Sequence, residues 1–145
     1  MSDSTKNAPF TRDELILFCK AVANVVGADR KVTPEERTHL AGLILETGLS
    51  INDVDVAAAV DKELYNPSPI EDVVKPIKSP AMRRHLFRTL IEVALSDGLA
   101  KEEDAKLAKL AEVFELNKQA ASELVHWTAE SIAMDKREQD ILARL

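Results

Sequence analysis

Cysteine occurs once in 145 residues, at Cys19, so no internal disulfide can form. Cys19 falls on an apolar stripe and reads as a small buried hydrophobe rather than a reactive thiol. Glycine is scarce, with four residues, and aromatics make up only 4% of the chain. Leu, Val, Ile and Ala must therefore build the core, and their β-branched runs are short and broken by charge, which favours helices over strands. A basic excess is also missing: 19 lysines and arginines face 25 aspartates and glutamates, for a net charge of −6. That argues against a nucleic-acid backbone as partner, because little counterion release is available. No apolar run reaches the ~18 residues that span a bilayer, and "MSDSTKNAPF" lacks the apolar region of a signal peptide. The expected setting is the cytoplasm, without membrane insertion. GxSxG, a Gly-rich phosphate loop and CxxC are absent, and His39, His85 and His126 are too scattered to suggest zinc. No pair of groups is singled out for catalysis, so an enzyme is not expected.

What the chain does have is helical patterning, with 46% hydrophobic residues. After a polar leader over 1–10, "TRDE" offers Thr11 as N-cap and Glu14 to close a capping box. Leu15, Phe18, Cys19, Val22, Val25 and Val26 then share one face as far as Gly27. "TPEE" repeats the device with Thr33, Pro34 and Glu36, and Gly48 stops that helix. A third helix opens at "SIND" with Ser50 as cap and runs to about Tyr65. The segment "NPSPIEDVVKPIKSP" holds four of the six prolines and is a connector with one short helix near 69–75. It is too short and too apolar for a flexible linker. Ser79 and Pro80 start a helix whose wide stripe includes Leu86, Phe87, Leu90, Ile91, Ala94 and Leu95. Leu107, Leu110, Ala111 and Phe114 mark the next helix. A last segment runs from Lys118 to about Ala133, followed by a terminal helix capped by Asp135.

The two halves resemble each other. "NVVGADRKVTPEERTHLAGL" and "EVALSDGLAKEEDAKLAKLA" align with a shift of 68 positions, matching Asp29 with Asp97 and Glu36 with Asp104. Each copy is a helix, a short acidic turn and a helix. The pattern predicts an all-α fold of about seven helices in a single domain over 11–145, built as two pseudo-symmetric helical hairpin halves.

The acidic turns could be metal sites. An EF-hand loop needs oxygen ligands at its first, third and fifth positions and a glycine at its sixth. Placing Gly98 there puts Val93 and Leu95 where ligands belong, which excludes an EF-hand. Asp29 with Glu36, and Asp97 with Asp104 or Glu103, could still hold a hard cation with water completing the shell. The competing reading is preferred: Glu36 belongs to its capping box, and acids in a first turn suit the helix dipole.

A second candidate surface is "MRRHLFR", where Arg84 and Arg88 share a face. They could bind an anion or an acidic partner, although a solvated face balancing nearby acids is the preferred reading. Trp127, the single tryptophan, reads first as a core or helix–helix contact. Exposed, it would mark a partner surface.

The repeated turn resembles the TerB-like family, which includes the tellurite-resistance protein TerB. The residues carrying the resemblance are Ala28, Asp29, Val32, Pro34, Glu35 and Glu36, and then Ser96, Asp97, Gly98, Ala100, Glu103 and Asp104. It spans roughly 12–127, nearly the whole chain. It implies an all-helical, bacterial, cytoplasmic protein tied to tellurite or stress response, with no established catalysis. It also implies weak binding of a divalent cation, calcium or magnesium, at Asp29, Glu36, Asp97 and Asp104. Two positions depart from the family pattern: Arg30 replaces the usual glycine, and Asp104 stands where a longer Glu is usual. The expected function is a non-enzymatic interaction module with protein partners, using Arg84, Arg88 and Trp127. The alternatives are an enzyme or binding protein for a small oxyanion or metabolite, and a structural subunit of a homo-oligomer such as a homodimer.

Overall fold

The computed structural model describes residues 10–27, 32–96 and 101–145; within its helices the side chains of residues 96, 101–104 and 106 lie outside that description. The leader proposed over 1–10 falls outside it except for Phe10. Among the described residues there are seven α-helices and no strand.

The first helix, α1 (Arg12–Val26), begins as its sequence dictates. The Thr11 hydroxyl accepts the Glu14 N–H at 3.1 Å, and the Glu14 carboxylate accepts the Thr11 N–H at 3.0 Å. These two bonds satisfy donors that a bare helix start leaves unpaired. Beyond Leu17 the helix sinks into the protein, and every residue from Ala21 to Val26 is buried. A helix hydrophobic on all sides must be covered on all sides. Accordingly α1 packs most extensively on α3 (Val54–Tyr65), then on α5 (Pro80–Ser96), α4 (Ile70–Val74) and α2 (Pro34–Glu46).

The start of α2 repeats the capping box, with Thr33 and Glu36 at 3.1 and 2.8 Å. This helix is peripheral and fully buries only Leu40 and Ile44. It ends at Thr47, and Gly48 adopts φ 89°, a left-handed conformation natural only to glycine.

Ser50 does not cap α3. The cap is Asp53, whose carboxylate accepts the N–H groups of Asp55 and Val56 at 3.0 and 3.3 Å. Ser50 instead shapes the preceding turn, its hydroxyl accepting the Asn52 N–H and its carbonyl the Asp53 N–H. A carboxylate is the stronger acceptor for two helix-start amides, and it also holds Arg12 at 3.0 Å. The proline-rich connector contributes core rather than slack: Ile70, Val73, Val74 and Ile77 are buried, and α4 packs on α1 and α6 (Lys101–Val113).

Helix α5 supplies the second buried surface, through Met82, Leu86, Leu90 and Ile91, and packs on α1, α6 and α7 (Lys118–Ala143). After α6 the chain turns at Glu115, with φ 56°, and the Leu116 N–H reaches back to the Ala111 carbonyl at 3.0 Å. That is a Schellman-type stop with a non-glycine residue in the left-handed position. The last two expected helices are one. Helix α7 runs unbroken for 26 residues, capped by Asn117, so Asp135 lies inside it and is not a cap. Nothing between Lys118 and Ala143 breaks a helix, since the stretch contains neither glycine nor proline. From residue 129 onward only Ser131 and Ile132 are even half-buried.

Each half of the sequence repeat thus yields a pair of consecutive helices in contact, α1 with α2 and α5 with α6. The pairs bury unequal surfaces: α2 sits at the rim, whereas α6 drives Leu107 and Leu110 into the core, with Phe114 just beyond its end.

Candidate docking cleft

Of the four acidic residues assigned to a cation, Asp29 and Asp97 lie outside the described residues, as do Arg30 and Gly98. Asp104 sits in the first turn of α6, its side chain outside the description. Glu36 is half-buried, with one carboxylate oxygen engaged by the Thr33 N–H in the capping box. Among the described residues no three His, Cys, Asp or Glu side chains gather as a metal site.

The residues expected at a partner surface lie within the described part of the chain. Helix α5 presents Arg88, whose guanidinium pairs with Glu92 one turn on at 2.8 Å. Helix α7 crosses beside it, held by contacts to α5 and α6. Buried Thr128 faces inward on α7, its hydroxyl bonded to the Leu124 carbonyl at 2.8 Å. The adjacent position, Trp127, is turned to the side and is 56% exposed. The expectation of a buried tryptophan contact is therefore corrected. A neighbouring position on a helix points about 100° away, so anchoring α7 through Thr128 leaves the indole partly in water.

Arg88, Glu92 and Trp127 line one cleft of about 350 Å³, closed by His39 of α2 and by Ile132 and Asp135 of α7. Two of the three expected partner residues thus meet; exposed Arg84 is not part of the cleft wall. The site combines an exposed indole with charges of both signs at its edge. Such a surface suits a protein segment that inserts an apolar side chain and meets charge at the rim.

Three features were not read from the sequence. Glu63 is 2% exposed, yet its carboxylate accepts the Asn24 amide and the Ser68 N–H, each at 2.9 Å. Burial alone would raise its pKa; the Ser68 N–H, the Asn24 amide, the Lys62 ammonium and the Ser68 hydroxyl outweigh it and hold the group below the ordinary carboxylate value. The signal was present: Glu63 lies seven residues after Val56, on the buried face of α3. His85 stacks on Phe18 and Phe10, with ring centroids 5.1 and 5.8 Å away, beside a cavity of about 590 Å³ walled also by Leu15 and Leu43. Although His85 is exposed, partial desolvation of the stacked ring first, and Arg88 second, lower its pKa. Tyr65 takes a hydrogen bond from Arg37, whose guanidinium also lies over the ring. Cys19 meets expectation, at 1% exposure, with burial pushing its thiol up to about 11.

Comparison with known families decides the lineage. The family model described as "Tellurite resistance protein TerB" matches residues 16–126. The chain belongs to that family. The TerB match takes in α2 to α6 entirely, all but the first turn of α1, and the beginning of α7, and stops one residue before Trp127. No curated protein and no solved structure matches the chain.

Proposed function

We propose that this TerB-family chain is a non-enzymatic interaction module of the tellurite or stress response, working in the cytoplasm, that docks a protein partner in the cleft between α2, α5 and α7. The observation carrying this reading is the exposed Trp127 set beside the Arg88–Glu92 pair. A solvated indole in a cleft of mixed charge favours association, because a partner removes it from water and the rim charges select which partner. A divalent cation, calcium or magnesium, binds weakly at the acidic turns through Asp29, Glu36, Asp97 and Asp104. Glu36 would contribute the oxygen not taken by its cap, with water filling the rest of the shell. The small-oxyanion alternative draws no support from Cys19, which is buried and protonated at neutral pH.

The test places a photo-crosslinking amino acid at Ile132, inside the cleft, in cells exposed to tellurite. A defined crosslinked protein should form with otherwise native chain and be lost with Arg88→Glu or Trp127→Ala, together with tellurite survival. Survival and crosslinks indifferent to both substitutions would refute the docking reading. For the cation, amide resonances of Asp97, Gly98 and Glu103 should move on adding calcium or magnesium; fixed resonances at millimolar cation would remove that part alone.

A further inference from the structure

Beyond the family-matched region, α7 carries a regular apolar row that is largely open to solvent, with only its first part, Trp127 and the adjoining Ser131, bordering the cleft shared with α2 and α5. Trp127, Met134 and Ile141 recur every seven residues and are 56%, 67% and 52% exposed. A step of seven drifts only ~20° around a helix, so the three side chains form one straight stripe. Between them stand Ser131 and Glu138, which complete a seam of alternating four- and three-residue steps. The stretch 129–145 carries Glu130, Asp135, Glu138 and Asp140 against Lys136, Arg137 and Arg144. Without a basic excess it has no attraction for an anionic lipid surface.

We propose that the occupant of this stripe is a second copy of the same chain, its α7 laid antiparallel. The row has gaps of seven residues, and an antiparallel copy fills them with its own row. Ile141 of the second copy falls opposite Ser131, and Met134 of the second copy falls opposite Glu138. The seam then reads Trp127, Ile141, Met134, Met134, Ile141, Trp127, drawn alternately from the two copies. Charge selects the direction. A parallel pair would set Glu138 against Glu138 within the seam and Glu130 against Asp135 at its edge. The antiparallel pair separates the two Glu138 carboxylates and brings Glu130 of each copy within reach of Arg144 of the other. Its like-charge meetings are one Arg137–Arg137 and one Asp135–Asp135 approach at the edges, fewer than the Glu138 pair and two Glu130–Asp135 pairs of the parallel arrangement. The proposal shares Trp127 with the docking cleft and rests on that reading to that extent. Met134, Ile141, Glu130 and Arg144 lie outside the cleft, so they test the pairing separately.

The experiment is sedimentation of the full chain across a concentration series from micromolar to several hundred micromolar. A concentration-dependent dimer is expected. Met134→Glu and Ile141→Glu should each shift it to monomer while circular dichroism keeps its helical signal, because both side chains are exposed in the single chain. Glu130→Arg or Arg144→Glu should weaken dimerisation about tenfold, and the two together should restore it. Orientation is read by cysteine pairing, with buried Cys19 a silent background. Under mild oxidation, a mixture of Ser131→Cys and Ile141→Cys chains should give the mixed disulfide ahead of either homodisulfide. A monomer throughout the series would overturn the proposal. A dimer indifferent to Met134→Glu, or one that forms the homodisulfides preferentially, would overturn it as well.

Discussion

Replacing Glu63 by Gln changes one atom and removes one charge from a buried position, and the outcome follows from who donates to that carboxylate. One oxygen accepts the Asn24 amide and the Ser68 N–H, both at 2.9 Å; the other accepts the Ser68 hydroxyl at 3.2 Å and lies 3.5 Å from the Lys62 ammonium. The glutamine carbonyl keeps the first two bonds in weaker, neutral form. Its NH₂ then faces an ammonium and can no longer accept. Hydrogen bonds to a charged group contribute ~1.5–3 kcal/mol against ~1 for neutral ones, so Glu63→Gln should cost about 2 kcal/mol near pH 7. Urea unfolding followed by circular dichroism measures this as a lower midpoint with an unchanged slope. The pH dependence provides an internal control. Because the folded pKa lies below the ordinary 4.5, the unfolded chain takes up the proton first as pH falls. The wild-type advantage is therefore complete above that ordinary value and is lost as pH falls through the folded one. The midpoints of the two proteins should converge under acid. A gap that does not narrow as pH falls below the ordinary carboxylate value, or a cost below ~0.5 kcal/mol at neutral pH, would contradict the assignment of the stabilisation to the ionised carboxylate.

Gly27→Ala should destabilise by about 1–3 kcal/mol in the same assay, because a Cβ there would lie 2.4 Å from the Leu64 carbonyl oxygen, forcing α1 away from the end of α3. Glu115→Gly should raise stability by roughly 0.5–1 kcal/mol by relieving the left-handed turn after α6; a loss would show that the Glu115 side chain matters more than its backbone. The His85 ring proton, followed by NMR, should titrate below the ordinary 6.5, and Arg88→Ala should bring the midpoint upward by removing a like charge. Native Cys19 should resist alkylation until the chain unfolds, since its thiol is both buried and protonated.

What the sequence revealed was what depends on neighbours in the chain. Both capping boxes are three-residue devices, and Thr11 with Glu14 and Thr33 with Glu36 form as their spacing says. Ser50 was expected to cap the third helix, and Asp53 takes that place because its carboxylate also gains Arg12 from a distant helix start. Dividing the last segment into two helices required a break that nothing in residues 118–143 provides. Glu63 drew no reading from "DKELY", because its partner Asn24 is 39 residues away. Trp127 was misplaced for a related reason. Helical spacing gives the angle between two side chains, but which angle faces inward on α7 is fixed by α5 and α6. The cleft pairing Trp127 with Arg88 arises only when those helices cross.

The position of the single tryptophan also determines what light reports about this protein. Emission from Trp127 comes from the side of α7, while the aliphatic core contributes nothing to it. A fluorescence melting curve would therefore follow the attachment of one helix, and far-ultraviolet dichroism would follow the helical content of the chain as a whole. Where the two curves separate, their offset gives the free energy of peeling α7 from an otherwise intact bundle. An untagged chain thus carries its own probe of the segment on which both proposed contacts depend.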